Sequence, residues 1–202
     1  MATVLLARHG ETAWNRAGRV QGWAPTRLTE RGRAQARDLA TTVAAHDPDR
    51  LVASDLPRAR ETADRVAAAT GLDVETDRRW RERHWGRLQG LDADGLYERF
   101  PRLSLTATGG DALDTSPEGG ESLTAVRERV HDAWADLGTD LAPAATAVVV
   151  SHAVPIDAVC ASATGRDFAE ALLDSDRDTG TLIELRVEGG RTEVAGEVSP
   201  SG

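Results

Sequence analysis

A chain of 202 residues is long enough to bury one substantial core and short for two. Its 40% apolar and 28% charged composition is that of an ordinary globular protein, and a formal net charge of -9 argues against nucleic acid or an anionic membrane as partner. All 24 basic residues are Arg, which excludes a P-loop lysine, a Schiff base and a pyridoxal attachment; the single cysteine, Cys160, excludes an internal disulfide.

Residues 3–7 (Thr-Val-Leu-Leu-Ala) are apolar on both faces and predict a buried strand. No basic leader or small-residue cleavage pattern surrounds them, and no run approaches the roughly 18 apolar residues of a membrane span. The chain therefore reads as cytoplasmic. A polar loop from residue 8 to about 28 leads to Thr29, the expected N-cap of a helix to about residue 45, with Ala36, Leu39, Ala40 and Val43 at helical spacing. A second strand is expected at 51–53, then a helix from Pro57 to about Thr70 stopped by Gly71, then a third strand at 72–75.

Residues 80–110 show weak periodicity, with one short helix expected at about 94–100, and the Gly-, Thr- and Pro-rich stretch 106–120 predicts a mobile surface loop. Residues 121–137 form an amphipathic helix on the stripe Leu123, Val126, Val130, Ala133, Trp134, Leu137. A buried strand at 146–150 ends on Ser151-His152, and Pro155 begins a helix to about 164. Two final runs, 181–187 and 192–198, flank a Gly-Gly turn and predict a closing hairpin. Strands alternating with helices imply a single α/β domain over 1–202. Its form is a three-layer sandwich: a mainly parallel sheet, helices on both faces and a C-terminal hairpin.

In such sheets ligands gather beyond the carboxyl ends of the strands. Three of those ends carry phosphate-binding residue types: Arg8-His9 after the first strand, Ser54-Asp55 leading to Arg58 after the second, and Ser151-His152 after the fourth. Two arginines can grip a dianionic phosphoryl group, and a neutral imidazole can attack it. The departing alkoxide needs a proton, for which Glu82 is the candidate; Glu11 is a second carboxylate nearby, read as a partner of the loop backbone.

At this point a resemblance becomes specific. Arg8-His9-Gly10-Glu11-Thr12 with Trp14-Asn15 resembles the signature of the histidine phosphatase, or phosphoglycerate-mutase-like, superfamily. The blocks around Arg19-Val20-Gln21-Gly22, Leu28-Thr29-Glu30-Arg31-Gly32, Ser54-Asp55 to Arg58, Arg81-Glu82 to Gly90, Gly119-Gly120-Glu121-Ser122 and Ser151-His152 resemble its later blocks, in the same order. The resemblance implies that His9 accepts the phosphoryl group and that Arg8, Arg58 and His152 hold it. It makes Glu82 donor and then base, and Asn15 and Gln21 contacts to phosphate or substrate. No metal and no cofactor are implied. Ala153 and Asp157 depart from the family's usual Gly and Arg, and 24–27 from its usual lead into Leu-Thr.

The activity expected is hydrolysis of small phosphorylated metabolites through a phosphohistidine. The runner-up is a 2,3-bisphosphoglycerate-dependent phosphoglycerate mutase, disfavoured because residues 92–120 lack the long Arg- and Pro-containing insert that mutases place over the site. A non-enzymatic interaction module is a third, weaker reading. Cys160 and Arg166 match the C-x5-R spacing of cysteine phosphatases, but Cys160 falls inside an expected helix and reads as a small buried residue. Trp14, Trp23, Trp85 and the 92–120 segment are the expected recognition surface. Oligomeric state is not legible, and a homo-oligomer is compatible with everything above.

Overall fold

In a computed structural model that describes residues 1–198, the chain runs β1 (Ala2–Arg8), α1 (Ala13–Arg16), α2 (Glu30–Ala44), β2 (Arg50–Ala53), α3 (Pro57–Thr70) and β3 (Val74–Thr76). Three short helices follow, α4 (Leu96–Arg99), α5 (Leu105–Thr108) and α6 (Asp111–Asp114). The chain then forms α7 (Leu123–Asp140), β4 (Thr146–Ser151), α8 (Ala153–Thr164), α9 (Phe168–Leu173), β5 (Leu182–Glu188) and β6 (Arg191–Val198).

The described strands make one sheet in the order β3-β2-β4-β1-β5-β6. Its first four strands are parallel, and β5 and β6 are antiparallel to their neighbours. Pleating sends alternate residues to opposite faces. Leu5, Ala7, Val148 and Val150 meet Leu39 and Val43 of α2 and Ala63 and Val66 of α3. Val4, Leu6 and Val149 meet Val126 and Val130 of α7 and Ile156 and Val159 of α8. The sheet is thus covered on both faces, as the continuous apolar runs of β1 and β4 require.

Local chemistry sets the boundaries. Thr29 Oγ1 accepts from Gly32 N at 3.0 Å and starts α2; Ser122 Oγ does the same for Ala125 N at 3.0 Å and starts α7. Gly71 ends α3 at φ 77°, and Gly189 and Gly190, at φ 55° and 78°, make the hairpin turn, a conformation side chains disfavour.

Some expectations need correction. Helix α8 begins at Ala153, two residues before Pro155, because a first-turn proline gives up only an N–H that had no helical partner. The stretch 106–120 is not a plain loop: α5 is capped by Ser104, and Leu105 and Leu113 pack against the core beside α7. Helices α1 and α9 were not anticipated. Among the described residues no helix is long and apolar enough to cross a membrane.

Candidate active site

Strands β2, β4 and β1 are adjacent and parallel, so their polar C-terminal residues emerge side by side. Main-chain bonds staple the three ends together: His9 N donates to Ser151 O at 3.1 Å, and Ser54 N to Val150 O at 2.9 Å. His9 is 2% exposed, and its Nδ1 lies 2.8 Å from Gly10 O. A carbonyl can only accept, so Nδ1 carries the proton and Nε2 keeps its lone pair. Arg58 Nε donates to that Nε2 at 3.1 Å, the polarity an unprotonated nitrogen requires. Burial, then the charges of Arg58 and Arg8, hold the His9 imidazole well below the ordinary histidine range, hence neutral.

Arg58 is presented by the first turn of α3, after Pro57, and is buried. Its Nη2 donates to Gly22 O at 2.8 Å and its Nη1 to Ala24 O at 3.3 Å. Burial lowers its guanidinium to about 10, which leaves it charged near neutrality. His152 stands behind His9 with ring centroids 5.0 Å apart, and its Nε2 is 2.8 Å from Ser54 Oγ. Arg8 donates an Nη1 hydrogen to Arg177 O. Two buried nitrogens here, Arg8 Nε and His152 Nδ1, have no hydrogen-bond partner.

A cleft of about 220 Å³ opens over these groups, lined at its base by Arg8, His9, Arg58, Asn15, Gln21 and Glu82. Enclosure raises the Glu82 carboxyl above the usual range, against the opposing pull of the Arg83 N–H and of Arg58, Arg8 and Arg129. Its Oε1 accepts from Arg83 N at 2.7 Å. The carbonyl oxygens of Asn15 and Gln21 face threonine hydroxyls, Asn15 Oδ1 at 3.0 Å from Thr12 and Gln21 Oε1 at 2.7 Å from Thr26. Both residues line the cleft.

Arg8, His9, Arg58, Asn15, Gln21 and Glu82 are therefore drawn to one cleft, with His152 in ring contact beside His9. Others fall outside it. Glu11 Oε1 takes the Thr29 hydroxyl at 2.6 Å, so this carboxylate braces the loop. Arg60 pairs with Asp64 on the surface at 2.8 Å. Cys160 is buried within α8, where desolvation pushes its thiol up to about 11, and no loop of N–H groups surrounds it. Of the expected recognition surface, Trp85, Ala93, Leu96 and Tyr97 line the cleft. Trp14 and Trp23 do not: the Trp14 ring lies against Gly90, and Trp23 Nε1 donates to Glu82 O at 2.7 Å. Asp157, which stands where the family usually has Arg, is buried against Arg177. A cavity of about 570 Å³ beside Asp157 and Cys160 is lined by neither His9 nor Glu82.

Beside the cleft, Arg129 carried no signal in the sequence, and Glu121 was legible only as part of the Gly119-Gly120-Glu121-Ser122 block. Arg129 of α7 donates to the main chain around Glu82, and Glu121 accepts from Arg129 and from His84 N. Arg81, paired with Asp55 through two contacts of 2.6 Å, ties the same segment to the end of β2. Among the described residues, no group of three or more His, Cys, Asp or Glu is arranged to hold a metal ion.

Comparison with known proteins agrees with this geometry. The family model described as "Histidine phosphatase superfamily (branch 1)" matches residues 4–197. A protein of Cronobacter sakazakii named probable phosphoglycerate mutase GpmB is 34% identical over 205 residues, covering 98% of this chain and 94% of its own. Among solved structures, YhfR of Bacillus stearothermophilus superposes with a TM-score of 0.87 at 27% identity, covering 100% of this chain and 98% of that one. A mycobacterial glucosyl-3-phosphoglycerate phosphatase in complex with VO3 gives 0.81 at 30% identity, covering 95% and 96%.

Proposed function

The chain belongs to branch 1 of the histidine phosphatase superfamily, a family of enzymes, and from that premise we propose that it hydrolyses small phosphorylated metabolites through a phosphohistidine at His9. The observation that carries this reading is the unprotonated His9 Nε2 beside a cleft, with Arg58 at 3.1 Å and Glu82 lining the same cleft.

In the first step the Nε2 lone pair attacks phosphorus in line with the ester oxygen, and the P–O bond breaks as the N–P bond forms. Arg8 and Arg58 neutralise the equatorial oxygens, and Asn15 and Gln21 add amide donors. If Ser54 donates its hydroxyl proton to His152 Nε2, Nδ1 bears the N–H, and a phosphoryl oxygen would satisfy both it and Arg8 Nε. Glu82 gives its proton to the leaving oxygen. In the second step Glu82, now a carboxylate, takes a proton from water as that water attacks phosphorus. The N–P bond breaks, phosphate leaves, and neutral His9 is restored.

The mutase reading is the alternative, and one observation favours hydrolysis over it. Twelve of the 29 residues from 92 to 120 lie in α4, α5 and α6, with Leu105 and Leu113 packed toward α7. Only Ala93, Leu96 and Tyr97 of it reach the cleft, and the cleft there carries no added arginine from that segment. This favours a site open to water. The test is to supply 3-phosphoglycerate with catalytic 2,3-bisphosphoglycerate: free phosphate supports hydrolysis, whereas 2-phosphoglycerate without phosphate release overturns it.

A further inference from the structure

We propose that Arg129 and Glu121 form a positioning pair for the proton donor, fixing the main chain that aims Glu82 into the cleft; this rests on the reading of Glu82 as general acid. The segment from Arg81 to Trp85 has no helix or strand pairing of its own. Its carbonyl groups therefore need partners from elsewhere, because a buried main-chain acceptor left unpaired is costly. Arg129 supplies them.

A guanidinium has five N–H donors in a rigid planar fork, and all five are engaged here. Nη1 donates to Arg79 O and to Arg81 O, both at 2.6 Å. Nη2 donates to Glu82 O at 3.0 Å and to Glu121 Oε2 at 3.0 Å, and Nε to Glu121 Oε1 at 2.8 Å. Glu121 grips the far side of the same segment: its Oε2 accepts from His84 N at 2.8 Å, and its own N donates to His84 O at 2.8 Å.

The base of this clamp is stiff. Arg129 sits in the second turn of α7, between Val126 and Val130, both buried against the sheet. Trp23 Nε1 completes the hold on Glu82 O at 2.7 Å. Neither side chain of the pair lines the cleft, so the two act through the position of Glu82. A lysine cannot replace the fork, since a point ammonium cannot address five acceptors spread over four residues.

The experiment compares esters of poor and good leaving groups, glycerol 2-phosphate and p-nitrophenyl phosphate, in wild type, Arg129→Gln, Arg129→Lys, Glu121→Gln and Glu82→Gln. A displaced acid should slow the poor leaving group at least about tenfold more than p-nitrophenolate. Inhibition by inorganic phosphate should stay within about twofold, because the phosphate-binding end is untouched. Arg129→Lys should rescue little, and Arg129→Gln should add nothing to Glu82→Gln. Glu121→Gln keeps the fold's volume and carries the test if Arg129→Gln does not fold.

Equal losses on both esters, or additive losses in the double variant, overturn the pair's role while leaving Glu82 as acid. If Glu82→Gln itself fails to discriminate between the esters, the acid assignment falls and takes this proposal with it. The two failures are distinguishable.

Discussion

Arg58 Nε stands 3.1 Å from His9 Nε2, the nitrogen that the Gly10 carbonyl leaves without a proton. The nucleophile thus meets a cation before any substrate arrives, and the entering phosphoryl group exchanges that contact for one to its own oxygen. His9→Ala should abolish turnover of p-nitrophenyl phosphate in EDTA, and Arg58→Lys should cost about a hundredfold in kcat/KM because one ammonium cannot replace the fork. Cys160→Ala should leave the rate near wild type. Turnover surviving in His9→Ala, or lost in Cys160→Ala, would sink the assignment.

The pH dependence follows from two opposite shifts. His9 is held below the ordinary histidine value, so it remains a neutral nucleophile as pH falls below about 6.5. Glu82 is raised, so it keeps its proton further toward neutrality than a free carboxyl. The acid limb of kcat/KM should therefore lie below 6.5, and the alkaline limb should mark the loss of the Glu82 proton. On glycerol 2-phosphate the rate should fall with rising pH, and Glu82→Gln should remove that limb along with most of the rate. An alkaline limb unchanged in Glu82→Gln would assign it to another group.

Much of this site is legible in the sequence because phosphoryl transfer restricts the residue types and the topology fixes where they meet. Arg8-His9, Ser54 to Arg58 and Ser151-His152 are contiguous with strands whose apolar runs are plain, and parallel neighbours must present those ends together. Arg129 was illegible for the converse reason. It is one of 24 arginines, on the polar side of an amphipathic helix, and three of its five acceptors lie as far off as residues 79 to 82. Trp23 misled in the same way: the indole reads as part of the recognition surface, but its N–H is spent on Glu82 O. The one-turn helices α5 and α6 were hidden by Gly and Thr, whose weak propensity is outweighed by Leu105 and Leu113 packing inward.

Gly10 and Gly32 are pressed together where α2 meets the nucleophile loop. A Cβ on Gly32 would lie 2.0 Å from Glu11 O, and one on Gly10 2.3 Å from Gly32 O. Gly32→Ala gains about 1 kcal/mol of helix propensity, but it drives a methyl group into main chain that cannot rotate away. The clash should win, with a net loss of about 2 kcal/mol in urea unfolding. Activity should fall as well, because Gly10 O orients the His9 ring. A Gly32→Ala protein as stable and active as wild type would contradict the close packing.

Asp157 and Arg177 supply the last prediction. The carboxylate is 3% exposed and meets Arg177 Nε at 2.6 Å, while Arg177 also reaches Glu197 at 2.8 Å and gives its carbonyl to Arg8. Burial raises the Asp157 carboxyl despite this cation, so desolvation already outweighs the pairing. Arg177→Met would leave a buried carboxylate without its countercharge, at a cost of about 3 kcal/mol near neutral pH. In that variant the folded-state pKa rises further, so protonation relieves the penalty: the stability deficit is present above that pKa and shrinks as pH falls through it. The Tm gap from wild type should accordingly be wider at pH 8 than at pH 5, and adding Asp157→Asn should close most of it. A gap that does not change with pH, or that Asp157→Asn fails to narrow, would show that Arg177 stabilises the protein by packing rather than by charge.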